Sequence, residues 1–288
     1  MKVISVNQHV VCFFRDRCIM DNLIDRFIVK PGSKLSLKNR DPDDTAGFDK
    51  KKALPVLQEN IERLKKLQYL LYAENKRSVL VILQALDAGG KDGTVRHVMG
   101  PLNPQGVKVV SFKTPTEEEL DHDFLWRVHR YTPHTGEIRV FNRSHYEDVL
   151  IVRIHNLVPR SVWSKRYKHI NSFEKLLADN NTTILKFFLH VNKKEQLERL
   201  KTRLDDPTKH WKANPEDFEE RRFWNDYMEA YEVALRRCST AYAPWFVIPS
   251  NKKWFRNLAV SQILVDKLES LNMKFPKSNC DIDSIVVK

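Results

Sequence analysis

The sequence predicts a three-layer α/β/α fold, with five short strands in a parallel sheet, helices on both faces and a helical excursion after the fourth strand. Three observations carry this expectation. A continuous apolar run at 78–84 leads without a break into a Gly-rich loop that ends in Lys91. Four further strand-like runs follow, at 107–112, 137–141, 182–190 and 245–248. Between them lie segments whose apolar residues recur every three or four positions, the period of a helix with one buried face.

The chain opens with residues 1–23, which match no pattern, and then a turn-rich basic stretch around Arg26, Lys30, Pro31, Gly32 and Lys34. Asp41-Pro42-Asp43-Asp44 is acidic and turn-forming. The segment 50–75 carries Leu54, Leu57, Ile61, Leu64, Leu67 and Leu71 at helical spacing, a stripe expected to pack on the core. The run 78–84 then reads as a buried central strand.

Ala85-Leu86-Asp87-Ala88-Gly89-Gly90-Lys91 has the spacing of a phosphate-binding loop, with Ala in place of the first Gly. Gly89 and Gly90 allow a tight turn that brings N–H groups against an anion. Lys91 adds an ammonium, and the helix expected to start there aims its positive end at the same point. The usual Ser/Thr after the Lys is Asp92, followed by Gly93 and Thr94. A carboxylate inside such a loop, Asp87, is repelled by phosphates unless a divalent cation lies between them. Asp87 is therefore expected to be a Mg²⁺ ligand, directly or through water, with Mn²⁺ able to substitute.

The first helix should continue through Arg96 to Met99 and end at Gly100-Pro101. Lys113 follows the second strand and is a candidate phosphate contact, because ligands lie off the carboxyl ends of strands in open parallel sheets. Thr116 with three following Glu residues makes a helix start, and that helix should reach His129, with Asp123 and Arg127 paired on one face. The third strand runs into Asn142-Arg143-Ser144-His145-Tyr146-Glu147-Asp148. Asn142 stands where many phosphate-loop enzymes carry a metal-linked Asp. Arg143 has the planar fork suited to phosphate. His145 reads as a packing residue, since no ligand set of metal-binding spacing surrounds it. Helices are expected at 161–178, 192–204, 215–238 and 254–271, and the Arg/Lys/Asp-rich stretch over about 192–222 reads either as a mobile lid or as a solvated helix face.

The bulk properties bound the function. A chain of 288 residues with 42% hydrophobic and 10% aromatic residues folds around a sizeable core. A net charge of +12 favours polyanionic partners without choosing among them. Cys12, Cys18, Cys238 and Cys280 form no C-x-x-C pair, so reduced thiols in a cytoplasm are expected. No apolar run approaches the roughly 20 residues that span a bilayer, and no membrane partner is expected.

The stretch 85–94, AxDxxGKDGT in pattern, together with FNRSHYEDVL at 141–150, resembles the polyphosphate kinase 2 family. The resemblance extends over about 24–271. It includes IDRFIVKPGSKLSL, DPDDTAGF, NPQGVKVVSFKTPTEEEL, HDFLWRVH and DPTKHWK. It implies a phosphate-loop, kinase-like domain over 24–271, with 272–288 a tail, and Mg²⁺-dependent, reversible phosphoryl transfer between inorganic polyphosphate and AMP or ADP, giving ADP and ATP. It implies catalytic roles for Asp87, Lys91, Arg143 and Glu147. Phosphate contacts would come from Ala88, Gly89, Gly90, Asp92, Gly93, Thr94, Arg96, Lys113, Arg199, Arg203 and Lys209, and nucleotide contacts from Asn142, Arg127 and His145. His145-Tyr146-Glu147 looks like the members that accept both AMP and ADP, often called class III, whereas ADP-restricted members show W-Y-N there. A cytoplasmic homo-oligomer, dimer or tetramer, with no nucleic-acid partner is the accompanying expectation. Two other readings remain: an ATP-dependent nucleoside monophosphate kinase, and a basic nucleic-acid-binding module, which leaves the phosphate loop unexplained.

Overall fold

The computed structural model describes residues 23–278 and 280. The extension 1–22 and most of the tail, with Cys12 and Cys18, lie outside the described residues. The strands are β1 (Ile28–Val29), β2 (Ser78–Gln84), β3 (Val107–Ser111), β4 (Ile138–Asn142), β5 (Thr182–His190) and β6 (Trp245–Pro249). They form one sheet in the order β1-β6-β5-β2-β4-β3. The five expected strands are all parallel to one another. The addition is β1, a two-residue antiparallel edge in which Ile28 faces Phe246 and Val29 faces Trp245.

The helices are α1 (Leu23–Phe27), α2 (Lys50–Glu74), α3 (Lys91–Thr94), α4 (Glu117–Asp121), α5 (Trp126–His129), α6 (Ile151–Ile154), α7 (Arg160–Asp179), α8 (Lys193–Asp205), α9 (Pro215–Glu219), α10 (Trp224–Cys238) and α11 (Lys253–Ser270). All seven residues of β2 are buried. Their side chains alternate between two cores, as the pleat requires. Val79, Val81 and Leu83 join the layer of α1, α2 and α11, while Leu80 and Ile82 join that of α7 and α10. Each core gathers side chains from both the sheet and its helices, which is the three-layer arrangement. Inside the first layer, the Asn60 amide donates to Gln262 at 2.9 Å and ties α2 to α11.

Several helices differ from expectation in ways that have local causes. The α2 stripe is buried at Ile61, Leu64 and Leu71, but Leu54 near its start is 46% exposed. Helix α2 ends because Asn75 adopts a left-handed backbone, φ 50°. Helix α3 passes into a π turn over Val95–Met99, where Gly100 N–H donates to the Val95 carbonyl at 2.8 Å. The expected helix 116–129 is two short helices. Thr116 and Glu119 form a capping box for α4. The Asp123 carboxylate accepts from Leu125 N–H at 2.9 Å, opening a new turn. The expected Asp123–Arg127 pair is therefore absent, and Arg127 pairs with Glu119 at 3.3 Å. The segment 215–238 is likewise interrupted by a 3₁₀ turn at Glu220–Phe223.

The excursion between β5 and α10 folds back on the loop after β2. Asn192 caps α8 by accepting from Glu195 N–H at 2.7 Å. From that helix Gln196 donates to the Asp87 carbonyl at 3.0 Å.

Candidate active site

The loop 85–90 leaves β2 and turns sharply. Ala88 has φ 58° and Gly90 φ 112°. A Cβ on Gly89 would lie 2.5 Å from the Ala85 Cβ and 2.8 Å from the Leu86 carbonyl oxygen, so the turn closes only with glycine there. Lys91 curls back under it and donates to the Ala85 carbonyl at 2.7 Å. It is buried, and burial first and Arg143 second push its pKa down to about 8.

Three charged groups converge beside this turn. Arg143 follows β4 directly and has a left-handed backbone, φ 62°, a costly conformation for a side-chain-bearing residue that the surrounding structure must hold. Its N–H donates to the Leu83 carbonyl at 3.1 Å, which pins it to β2. Its Nη2 donates to Asp87 Oδ1 at 2.7 Å. Glu147, on the 3₁₀ turn one step further, lies 4.0 Å from Arg143 Nη1. Burial works against the charge on Arg143, but Glu147 and Asp87 outweigh it and raise its pKa. Together with Gln196, Arg221, Trp224, Tyr227 and Tyr231 from the excursion and α10, these residues line a narrow cleft. It lies at the carboxyl ends of β2 and β4, where an open parallel sheet binds ligands.

The turn carrying Glu147 is anchored from beneath. Lys186 on β5 is fully buried and donates to Glu174, to the Cys238 carbonyl and to the Tyr146 hydroxyl, the last at 2.9 Å. Tyr146 in turn donates to Glu174 at 2.8 Å. His145 is 0% exposed, faces Glu174 at 3.3 Å and packs on Phe173. The packing reading of His145 therefore stands, and the nucleotide-contact expectation is corrected: no surface of the ring is open to a ligand. Burial raises the Cys238 thiol to about 12, which leaves it unreactive.

Other expected contacts are placed differently. Thr94 is fully buried, and its hydroxyl donates to the Gly90 carbonyl at 3.2 Å, so it caps the loop instead of facing an anion. The Asp92 carboxylate accepts from Asn142 at 2.9 Å and pairs with Lys212 at 3.3 Å, linking β4 and the excursion to α3. Arg199 is only 9% exposed. It donates to the carbonyls of Ala88 at 3.1 Å, Gly89 at 3.2 Å and Asn251 at 3.2 Å, and to Ser250. Its Nε pairs with Glu195 at 2.8 Å, so that guanidinium holds the back of the loop with its donors taken by a carboxylate and by carbonyl oxygens. Arg203 pairs with Asp217 at 2.6 Å and Lys209 with Asp206 at 2.6 Å, both within the excursion. Arg96 and Lys113 are exposed, and Arg127 donates to the Lys113 carbonyl at 2.9 Å; none of the three lines the cleft.

Little in the residue pattern pointed to Gln196, Arg221 or the aromatic trio. Trp224, Tyr227 and Tyr231 stand at helical spacing, which ordinarily marks core. Here one end of that stripe is core, with Tyr231 only 4% exposed, and the other walls the cleft.

Among the described residues no group of three His, Cys, Asp or Glu side chains converges as a metal cage. A Mg²⁺-like cation shared with phosphates needs only one or two carboxylates. Asp87 fits: its side chain is 30% exposed, in the cleft, and only Oδ1 is engaged.

The comparisons with known proteins agree with this geometry. The polyphosphate kinase 2 family profile matches residues 47–276. The chain is 56% identical over 265 residues to an AMP/ADP-polyphosphate phosphotransferase of Meiothermus ruber, covering 91% of this chain and 99% of that protein. It is 48% identical over 235 residues to an ADP-polyphosphate phosphotransferase of Rhodopseudomonas palustris, covering 77% and 81%. Its fold superposes on the crystal structure of polyphosphate kinase 2 from Arthrobacter aurescens with a TM-score of 0.88 at 44% identity, covering 91% of this chain and 94% of that one. A phosphate loop holding its own carboxylate, an arginine fixed at the next strand end and a family match across both leave one assignment: the chain belongs to the polyphosphate kinase 2 family.

Proposed function

We propose that this chain transfers phosphoryl groups from inorganic polyphosphate to AMP and to ADP, reversibly, with Mg²⁺ as the divalent cation. The observation that carries the reading is the Asp87–Arg143 pair at 2.7 Å on the edge of the phosphate loop, with Glu147 beside it. The relatives named above support polyphosphate as donor and both nucleotides as acceptors.

Phosphoryl transfer asks a protein for positioning and charge neutralisation more than for covalent chemistry. The N–H groups of the loop and the Lys91 ammonium hold phosphate oxygens. For Lys91 to do so it turns from the Ala85 carbonyl toward the anion, and a phosphate nearby restores its charge. Arg143 balances charge that develops on the transferred group. Asp87 would hold the divalent cation, which supplies neutralisation between donor and acceptor phosphates. The excursion 192–222 acts as a lid: its Gln196 and Arg221, with Trp224 at the start of α10, close the cleft against water. Glu147 favours the shorter acceptor, since AMP brings one phosphate fewer to the site and leaves room for a water or cation held by a carboxylate.

The experiment compares donors side by side. AMP is incubated with Mg²⁺ and either long-chain polyphosphate or ATP, and products are separated by chromatography. Turnover with polyphosphate supports the proposal. Turnover with ATP alone points to an ordinary nucleoside monophosphate kinase.

A further inference from the structure

Helix α11 carries Arg256 against the phosphate loop. The residue is 2% exposed. Its Nε and Nη2 both donate to Asn257 Oδ1, at 3.1 and 2.8 Å. Its Nη1 has no hydrogen-bond partner, and no carboxylate pairs with the guanidinium, among the described residues. The charged group acting on it is another cation, Arg199. Burial first and Arg199 second push its pKa down to about 9, so it remains charged at neutral pH.

Its position explains a glycine pattern that the loop motif leaves unexplained. Gly90 and Gly93 stand about one helical turn apart. A Cβ on Gly90 would lie 2.0 Å from Arg256 Nη1, and one on Gly93 would lie 2.9 Å from Nη2. The two glycines therefore make room for this guanidinium against the loop and the first turn of α3. A buried cation with no counter-charge is costly. The fold keeps this one beside the turn where an anion binds.

We propose that Arg256 is a positioning residue of the phosphate site, and that the phosphate chain bound on the loop is its missing counter-charge. The proposal rests on reading residues 85–91 as a phosphate site. Arg256 acts from behind the loop, across the Gly90 and Gly93 backbone, and couples anion binding to the packing of α3 on α11. Arg199 fixes the loop carbonyls, whereas Arg256 supplies charge.

The test is calorimetric titration with inorganic tripolyphosphate at fixed ionic strength, with thermal unfolding of the same proteins. Asn257→Asp is the informative variant, because it is nearly isosteric and gives the guanidinium a carboxylate partner. It should weaken tripolyphosphate binding about tenfold or more, the order expected for a charged contact, while the ligand-free Tm holds or rises. Arg256→Met should weaken binding similarly, and Arg256→Lys should keep affinity within a few-fold of wild type. Wild-type affinity in Asn257→Asp overturns the proposal, as does wild-type affinity in Arg256→Met should the first variant not fold. Wild-type protein that fails to bind tripolyphosphate at all overturns the phosphate-site reading itself.

Discussion

Replacing Asp87 with Asn removes one charge and almost no volume. Asn keeps an oxygen that can accept from Arg143, so the 2.7 Å contact loses strength but not its geometry. The two side chains are 30% and 39% exposed. A pair this open to solvent is worth about 0.2–1 kcal/mol. The melting temperature should therefore fall by at most about 4 °C. Catalysis should respond on another scale. Asp87 is the only carboxylate within the loop 85–91, and removing one preorganised electrostatic contact commonly costs about 100- to 1,000-fold in rate, roughly 2.7–4 kcal/mol. AMP phosphorylation by long-chain polyphosphate, followed by chromatography with thermal unfolding as control, should show at least about a hundredfold loss in a folded protein. A variant retaining more than about a tenth of wild-type rate, a loss below roughly 1.4 kcal/mol, would remove Asp87 from the mechanism.

Three other outcomes follow from the site. Glu147→Asn should reduce kcat/KM for AMP much more than for ADP with the same polyphosphate; equal losses would mean that Glu147, 4.0 Å from Arg143, does not select the acceptor. Lys91 has its pKa lowered from 10.5 to about 8 in the ligand-free protein, so phosphate binding takes up a proton above that pH. Tripolyphosphate affinity should fall as pH rises from about 8 to 10, and a flat profile would contradict the assignment. The linked stability effect has the opposite sign: between about 8 and 10.5 the unfolded chain binds more protons than the folded one at this group, so its burial penalty is relieved as pH rises. Polyphosphate affinity should also drop steeply with salt, by counterion release, and AMP affinity much less; polyphosphate binding that ignores ionic strength would rule out a basic track for the chain.

What was legible in the sequence was local. The strand 78–84 and its loop are contiguous, so apolar continuity and Gly-Gly-Lys spacing describe them fully. The other four long strands and α2, α7, α8 and α11 emerged from periodicity for the same reason. Strand β1 did not, because two residues carry no period. Charge placement was the weak point. Charged residues choose partners in space: Arg127 takes Glu119 over Asp123, and Arg203 takes Asp217. Arg199 sits in a charge-rich helix that suggested phosphate contact, yet its partners are Glu195 on the same helix and carbonyls from the loop and from the turn after β6. Arg256 gave no signal at all. Only the packing of α11 on α3 brings it to Gly90 and Gly93.

The central claim is that polyphosphate itself is the phosphoryl donor. The direct measurement is a time course with AMP, long-chain polyphosphate and Mg²⁺, with no nucleoside triphosphate added. The account predicts that ADP appears first and ATP follows, and that both vanish with Asp87→Asn. No ADP from polyphosphate, in a preparation that converts AMP to ADP when ATP is supplied, would contradict it.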